Sequence, residues 1–172
     1  MKRLILIAAL ALTACKEDVA QAPPEPIEMT ELALSYFCQM NISEHGGPKA
    51  QIHLKGYPQP LFFAQVRDMV AYVKSPERDA EITAIYVTDM SVAPSWANPG
   101  AANWIAAGAA SFVVGSNVAG GMGAPEIVPF GTLDGAGAFI STYGGRVLPL
   151  TEIPDDAALG PVDLDLALET PA

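Results

Sequence analysis

Apolar and polar residues follow a regular pattern along the first half of the chain, and its period changes between segments. Residues 49–55 alternate, which predicts a strand with one buried face. Residues 61–64 follow a proline-containing turn and predict a second strand. Over residues 66–73 apolar side chains recur at helical spacing until Pro76, so a helix is predicted there. Residues 81–88 alternate again and predict a third strand.

The second half of the chain predicts the same succession of elements. They follow in the order strand, strand, helix and strand, at residues 111–116, 126–130, 132–141 and 146–153. A segment rich in Pro and Gly joins the halves. We therefore predict an α+β fold in which two similar ββαβ units, residues 31–92 and 93–154, pack as one compact body.

The N-terminus resembles an export signal. Lys2 and Arg3 precede an apolar stretch that ends in small residues and Cys15. The stretch is too short to remain as a membrane-spanning helix. We predict that residues 1–14 are a removed signal peptide and that Cys15 is lipid-modified, which anchors the mature protein to a membrane. Lys16 stands where an inner-membrane retention signal would have Asp, which favours the outer membrane.

Two segments beside the predicted body have no periodic pattern. Residues 15–30 contain three prolines among small and acidic residues, which predicts a flexible or extended tether. Residues 155–172 are acidic and rich in Ala, Leu and Pro, which predicts a poorly ordered tail.

The charge of the chain excludes one large class of partner. The formal net charge is −10 at pH 7, whereas nucleic-acid binding depends on basic patches. The same charge opposes docking on anionic lipid headgroups. It favours a cationic partner, either a metal ion or a basic protein surface.

The cysteine count predicts one unpaired thiol, that of Cys38. The chain has two cysteines, and lipid on the sulfur of Cys15 would leave Cys38 unpaired in an oxidising compartment. Met40 lies two positions later, and on an extended backbone both side chains would point to the same side. Thiols and thioethers are soft ligands that select monovalent copper, so both residues are candidate Cu(I) ligands. The alternative is a buried cysteine and a core methionine.

Two more candidate ligands lie in glycine-rich segments. Met122 stands among three glycines, and such a backbone can turn tightly and approach another loop. His45 precedes Gly-Gly-Pro, and its imidazole can complete a metal site. The alternatives are a loop methionine and a solvated histidine. His53, on the polar face of its strand, and Met69, on the apolar face of its helix, are predicted to be structural.

The sequence lacks recognisable catalytic motifs. No serine or cysteine lies in a known nucleophile motif, and the glycine-rich residues 115–123 lack the Lys-Ser/Thr of a phosphate loop. We predict that the protein is not an enzyme.

Taken in chain order, these motifs resemble the NosL family of nitrous-oxide reductase accessory lipoproteins. The matching pieces are the N-terminal lipobox, Cys38-x-Met40, His45-x-Gly47-Pro48-Lys49-Ala50-Gln51-Ile52, Tyr86-Val-Thr-Asp89, Trp96, Ser116, Gly121-Met122-Gly123, Val128-Pro129-Phe130 and Gly144-Gly145. Two positions depart from the family pattern. Gln39 stands where Gly is common, and Gly46 stands where Pro is usual.

The resemblance implies a periplasmic Cu(I) chaperone that delivers copper for the copper–sulfide centre of nitrous-oxide reductase. It implies the reductase and its membrane maturation complex as partners, and a fold like a domain of organomercurial lyase. The implied copper ligands are Cys38, Met40 and Met122, with His45 as a candidate extra ligand. Two other functions remain open: a thiol-reactive redox or detoxification lipoprotein that uses Cys38, and a docking subunit that needs no metal.

Overall fold

A four-stranded antiparallel sheet forms the centre of the first unit. The computed structural model describes residues 22–163 and 165–171, so the predicted signal peptide and Cys15 lie outside the described residues. The strands are β1 (Ala50–Leu54), β2 (Leu61–Phe63), β3 (Ile82–Thr88) and β4 (Trp104–Ala106). Their order in the sheet is β2-β1-β3-β4, and helix α1 (Val66–Lys74) connects β2 to β3.

The second unit repeats this arrangement with a smaller sheet. Its elements are β5 (Ser111–Val114), β6 (Val128–Phe130), α2 (Leu133–Tyr143) and β7 (Arg146–Leu148). The strand order β6-β5-β7 corresponds to β2-β1-β3 in the first unit, and all pairs are antiparallel. The predicted α+β class is confirmed, and the ββαβ succession is present in both halves.

Helix α1 forms where its apolar residues share one face. Val66, Met69 and Val70 are buried, so Met69 is a core residue as predicted. The helix ends at Lys74 because Pro76 disfavours a helical conformation for the residue before it. No helix in the described part of the chain has the length and apolar character needed to cross a bilayer.

One of two buried apolar clusters spans the two units. Phe112 and Ile127 of the second unit pack in the same buried cluster as Ile52 of the first. Asp89, just after β3, adds a polar connection, because its Oδ1 accepts the backbone N–H of Gly131 at 2.7 Å. The units therefore form one body.

Strand β4 begins at Trp104, where the segment predicted to link the units, residues 91–104, ends. It pairs with β3 at the edge of the first sheet, from Thr88↔Trp104 to Tyr86↔Ala106. The Trp104 side chain secures its start by donating an N–H to the Ala101 carbonyl at 3.0 Å. A strand of three residues is too short to show an alternation, which is why the sequence pattern does not predict it.

Part of the predicted tether is docked on the first sheet. The carboxamide of Gln51 pairs with both backbone groups of Ile27, since Oε1 accepts its N–H at 2.9 Å and Nε2 donates to its carbonyl at 2.9 Å. The Tyr86 hydroxyl donates to the Pro24 carbonyl at 2.7 Å. All of β1 is buried, although its alternation predicts one exposed face. Of the two predicted states of the tether, flexible or extended, these contacts disagree with the flexible one for residues 24–27.

His53 lies under the same cover. Its Nε2 donates to Gln51 Oε1 at 2.9 Å, and its ring meets the edge of the Tyr86 ring at a centroid distance of 5.7 Å. Burial lowers the pKa of His53. The structural role predicted for this histidine agrees with these contacts.

The acidic C-terminal segment also packs on the body. It begins with the short helix α3 (Asp155–Leu159), and Arg67 donates an N–H to the Gly160 carbonyl at 2.8 Å. Farther on, the backbone N–H of Glu169 donates to the Asn117 carbonyl at 2.7 Å. The prediction of a poorly ordered tail is wrong for these residues, because a five-residue helix is too short to give a periodic pattern.

Candidate metal centre

Cys38 and Met40 lie in a tight hairpin turn. The Ser35 N–H donates to the Met40 carbonyl at 2.9 Å, and the Gln39 N–H donates to the Ser35 carbonyl at 2.9 Å. Gln39, between the two sulfur residues, has a φ of 57°. The prediction of an extended backbone is therefore wrong here. The turn, and not strand geometry, determines where the thiol and the thioether point.

Gln39, one of the two departures from the family pattern, has a backbone conformation that is typical of Gly. A positive φ favours Gly, the residue that the resemblance to the NosL family implies at this position. A side chain with a Cβ adopts this region at a cost of about 1–2 kcal/mol. The Gln39 amide offsets part of that cost by donating to the Tyr36 carbonyl at 2.7 Å and to the Ser35 carbonyl at 3.3 Å. The turn is thus stabilised without Gly.

Aromatic side chains pack together beside the turn that contains Cys38 and Met40. Tyr36 and Phe37, just before Cys38, pack on Phe63 with centroid distances of 5.9 and 5.6 Å. Cys38 is a free, partly exposed thiol, and Met40 is 44% exposed. Both sulfur residues are accessible from solvent while the backbone beneath them is held in place.

Met122 lies in a second tight turn, which contacts the His45 loop. The Met122 N–H donates to Gln65 Oε1 at 2.7 Å, and the side chain is 40% exposed. A Cβ added to Gly121 would lie 2.6 Å from the His45 Cβ and 2.8 Å from the Gly46 carbonyl. The glycine next to Met122 is therefore required by the close approach of the two loops.

His45 presents one unused nitrogen. Its Nδ1 lies 3.0 Å from the Gly121 carbonyl, which can only accept, so Nδ1 carries the proton. Its Nε2 is buried and has no hydrogen-bond partner. A neutral imidazole oriented by a carbonyl on one nitrogen has a lone pair on the other nitrogen that is ready for a metal.

The direct contacts join His45 to the Met122 loop. The Cys38 turn reaches the same region through intermediate residues, because the Ser35 hydroxyl accepts the Ala64 N–H at 3.3 Å and Gln65 follows with its bond to Met122. No three His, Cys, Asp or Glu side chains form a metal-binding group within residues 22–163 and 165–171. The candidate donors are therefore two thioethers, one thiol and one imidazole.

Lys49 fixes the backbone that follows His45, a role that the sequence pattern does not reveal. Its Nζ donates to the carbonyls of Gly46 at 3.0 Å and Gly47 at 2.6 Å, and the residue is 1% exposed. Burial lowers the pKa of Lys49, while the nearby Glu126 carboxylate opposes that shift. A lysine at the start of a strand gives no sequence signal for such bonds.

Trp96 supports the same backbone from the other side. Its carbonyl accepts the Gly47 N–H at 2.7 Å, and a Cβ on Gly47 would lie 2.8 Å from the indole ring. Gly47 also has a φ of 83°. Both the ring and the backbone conformation therefore require Gly at this position.

Glu126, predicted only as part of a strand, is a buried acid between the units. Its Oε1 accepts the N–H groups of Arg67 at 3.0 Å and Ile127 at 2.9 Å, whereas Oε2 has no partner. Burial raises the pKa of Glu126 despite these bonds and the positive charge of Lys49. A buried carboxyl of this kind favours its protonated form.

The chain is similar to known proteins along most of its length. A NosL family profile matches residues 26–158. The chain belongs to the NosL family. The copper-binding lipoprotein NosL of Achromobacter cycloclastes is 54% identical over 165 residues, which cover 95% of this chain and 85% of that protein. The copper-binding lipoprotein NosL of Stutzerimonas stutzeri is 33% identical over 159 residues, or 91% and 80% of the two chains.

A solved NosL structure has the same fold. The crystal structure of the copper chaperone NosL from Shewanella denitrificans aligns with a TM-score of 0.71 at 35% identity, over 76% of this chain and 97% of that chain. The resemblance to the NosL family that the motifs indicate is thus confirmed.

Proposed function

We propose that this protein binds Cu(I) through Cys38, Met40, Met122 and His45 and delivers it for assembly of the copper–sulfide centre of nitrous-oxide reductase. The observation that carries the proposal is the unpartnered Nε2 of His45 beside the Met122 loop. The names of the relatives, copper-binding lipoprotein and copper chaperone, support copper as the bound ion.

The donor set suits a monovalent soft ion. The Cys38 thiol releases its proton on binding, and the resulting thiolate balances the single charge of Cu(I). The thioethers of Met40 and Met122 and the neutral imidazole of His45 add ligands without adding charge. Both methionines are about two-fifths exposed, so an acceptor protein can approach the ion directly. Copper is thus cargo that passes through the site, and the proposal requires no catalysis.

The proposed location follows from the N-terminus. Removal of residues 1–14 and lipidation of Cys15 would place the protein in the periplasm on a membrane surface, with Lys16 favouring the outer membrane. The partners are the reductase and its membrane maturation complex. The formal net charge of −10, made two units more negative by the removal of Lys2 and Arg3, favours an approach to basic surfaces on them.

An anaerobic Cu(I) titration against a competing chelator tests the ligand set. We expect Cys38→Ser, Met122→Ala, Met40→Ala and His45→Ala each to weaken binding by more than about 100-fold. This estimate rests on the 10–100-fold that loss of an outer-shell partner alone typically costs a metal site. Met90→Leu removes a thioether outside the proposed set and should leave the affinity unchanged.

Other results would identify the alternatives. A thiol-reactive lipoprotein would lose its reaction with Cys38→Ser but would be indifferent to Met122→Ala. A docking subunit would bind its partner equally well without the three sulfur atoms. Copper affinity that survives both Cys38→Ser and Met122→Ala would overturn the proposed site.

Delivery is tested in cells that lack this protein. The parent chain and Met90→Leu should restore the copper content of the catalytic centre of nitrous-oxide reductase, and Cys38→Ser should not. Full restoration by Cys38→Ser would contradict delivery from this site.

A further inference from the structure

At the start of α1, one side chain from each unit accepts a hydrogen bond from the backbone of the other unit. Gln65 is the N-cap residue of α1, yet its side chain makes no capping bond to its own helix. Its Oε1 instead accepts the Met122 N–H at 2.7 Å, from a residue 57 positions away in the second unit. Gln65 is 2% exposed, so little solvent competes for this bond.

Glu126 supplies the cap that Gln65 does not make. Its Oε1 accepts the N–H of Arg67, the second residue of α1, at 3.0 Å. A carboxyl oxygen at a helix N-terminus satisfies an N–H that has no partner within the helix. Because the second unit caps α1, the Gln65 side chain is free to hold the Met122 loop.

Gly120 shows how closely the loop backbone lies on this pair. A Cβ added there would collide with Glu126 Oε2 and would lie 2.7 Å from Gln65 Oε1. The loop closes on itself through the Gly123 N–H, which donates to the Gly120 carbonyl at 2.9 Å. The turn that presents Met122 is thus seated on two buried side chains, one from each unit.

We infer that Gln65 is a positioning residue that holds the Met122 thioether in place for copper, with Glu126 as its structural partner. The inference rests on the proposed role of Met122 as a ligand. Without the Gln65 bond, the loop has more conformations in the copper-free protein, and ion binding must then order it. Preorganised ligands avoid that cost, and loss of an outer-shell partner typically weakens metal binding 10–100-fold.

A double-mutant cycle on Cu(I) affinity tests the inference. We expect Gln65→Ala to weaken binding about tenfold in the parent chain, and less than about twofold when Met122 is already Ala. The matched control is Thr132→Ala, which removes the N-cap bond of α2 to Gly135 at 3.1 Å. Like Gln65→Ala, this control removes one side-chain-to-backbone hydrogen bond made by an N-cap residue, but that bond lies outside the Met122 loop, so it should leave copper affinity unchanged.

The outcomes separate this inference from the proposed function. If Met122→Ala weakens binding and Gln65→Ala does not, only the positioning role is overturned. The positioning role is also wrong if Gln65→Ala has the same effect with and without the Met122 thioether. If Met122→Ala itself leaves the affinity unchanged, the proposed ligand set fails and the inference fails with it.

Amide hydrogen exchange provides a readout that needs no copper. In the metal-free protein, Gln65→Ala should accelerate exchange at the Met122 N–H, and Thr132→Ala should not. Equal exchange rates in the parent and in Gln65→Ala would show that the bond does not order the loop, which would overturn the inference.

Discussion

Replacement of Trp96 by Ala should lower the free energy of unfolding by about 3–5 kcal/mol, the range for a large aromatic side chain removed from a packed interior. Trp96 is 5% exposed, and its ring stacks on Phe139 at a centroid distance of 6.4 Å. The same ring packs against Gly47 in the loop after His45, so its loss leaves a cavity where the units meet. Urea unfolding followed by far-UV circular dichroism measures the effect.

Trp104→Ala is the matched control for this experiment. Trp104 is partly exposed on edge strand β4, where its indole N–H donates to the Ala101 carbonyl at 3.0 Å. Its removal should cost about 1 kcal/mol, as is common for partly exposed positions. Equal losses for the two tryptophans would contradict the supporting role assigned to Trp96.

The stability of the protein should fall relative to that of Glu126→Gln as the pH rises from 5 to 7. Burial raises the pKa of Glu126, so the folded protein retains a proton that the unfolded chain has already released. The contribution of this proton is complete below the ordinary glutamate pKa and is lost as the pH rises toward the folded-state pKa. The difference in unfolding free energy should change by up to about 1.4 kcal/mol per pH unit.

Glu126→Gln suits this test because its amide oxygen can still accept the N–H groups of Arg67 and Ile127. Two charged neighbours, Lys49 and Asp68, shift the pKa of Glu126 in opposite directions and are present in both proteins. Glu77→Gln, at an exposed position, controls for the loss of one negative charge. Parallel curves of unfolding free energy against pH for the parent and Glu126→Gln would show that this carboxyl has the same pKa in both states.

Periodicity predicted the elements whose buried faces repeat. The alternation at residues 49–55 and the helical spacing from Val66 to Val73 correspond to β1 and α1, and the second half follows the same succession. Elements that depend on pairing at an edge, such as β4, or on a single turn of helix, such as α3, have too few residues to show a period. They form because the rest of the body provides a surface for them.

The candidate ligands could be found from the sequence, but the residues that hold them could not. Cysteine, methionine and histidine are rare enough to be noticed one at a time. Gln65 and Glu126 act through single side-chain bonds to backbone groups 57 and 59 residues away, which leave no local pattern. The turn at Gln39 could not be predicted from the sequence either, because its backbone has a positive φ, which is expected of Gly and not of Gln.

The pairing of Gln51 with Ile27 also has an evolutionary consequence. The Gln51 carboxamide bonds to the backbone N–H and carbonyl of residue 27, and these bonds do not involve the side chain of residue 27. The segment before the body can therefore diverge in sequence while it keeps its place on β1. Proline is the exception, because it lacks the N–H, so it is disfavoured at position 27 in a stretch that already contains Pro23, Pro24 and Pro26.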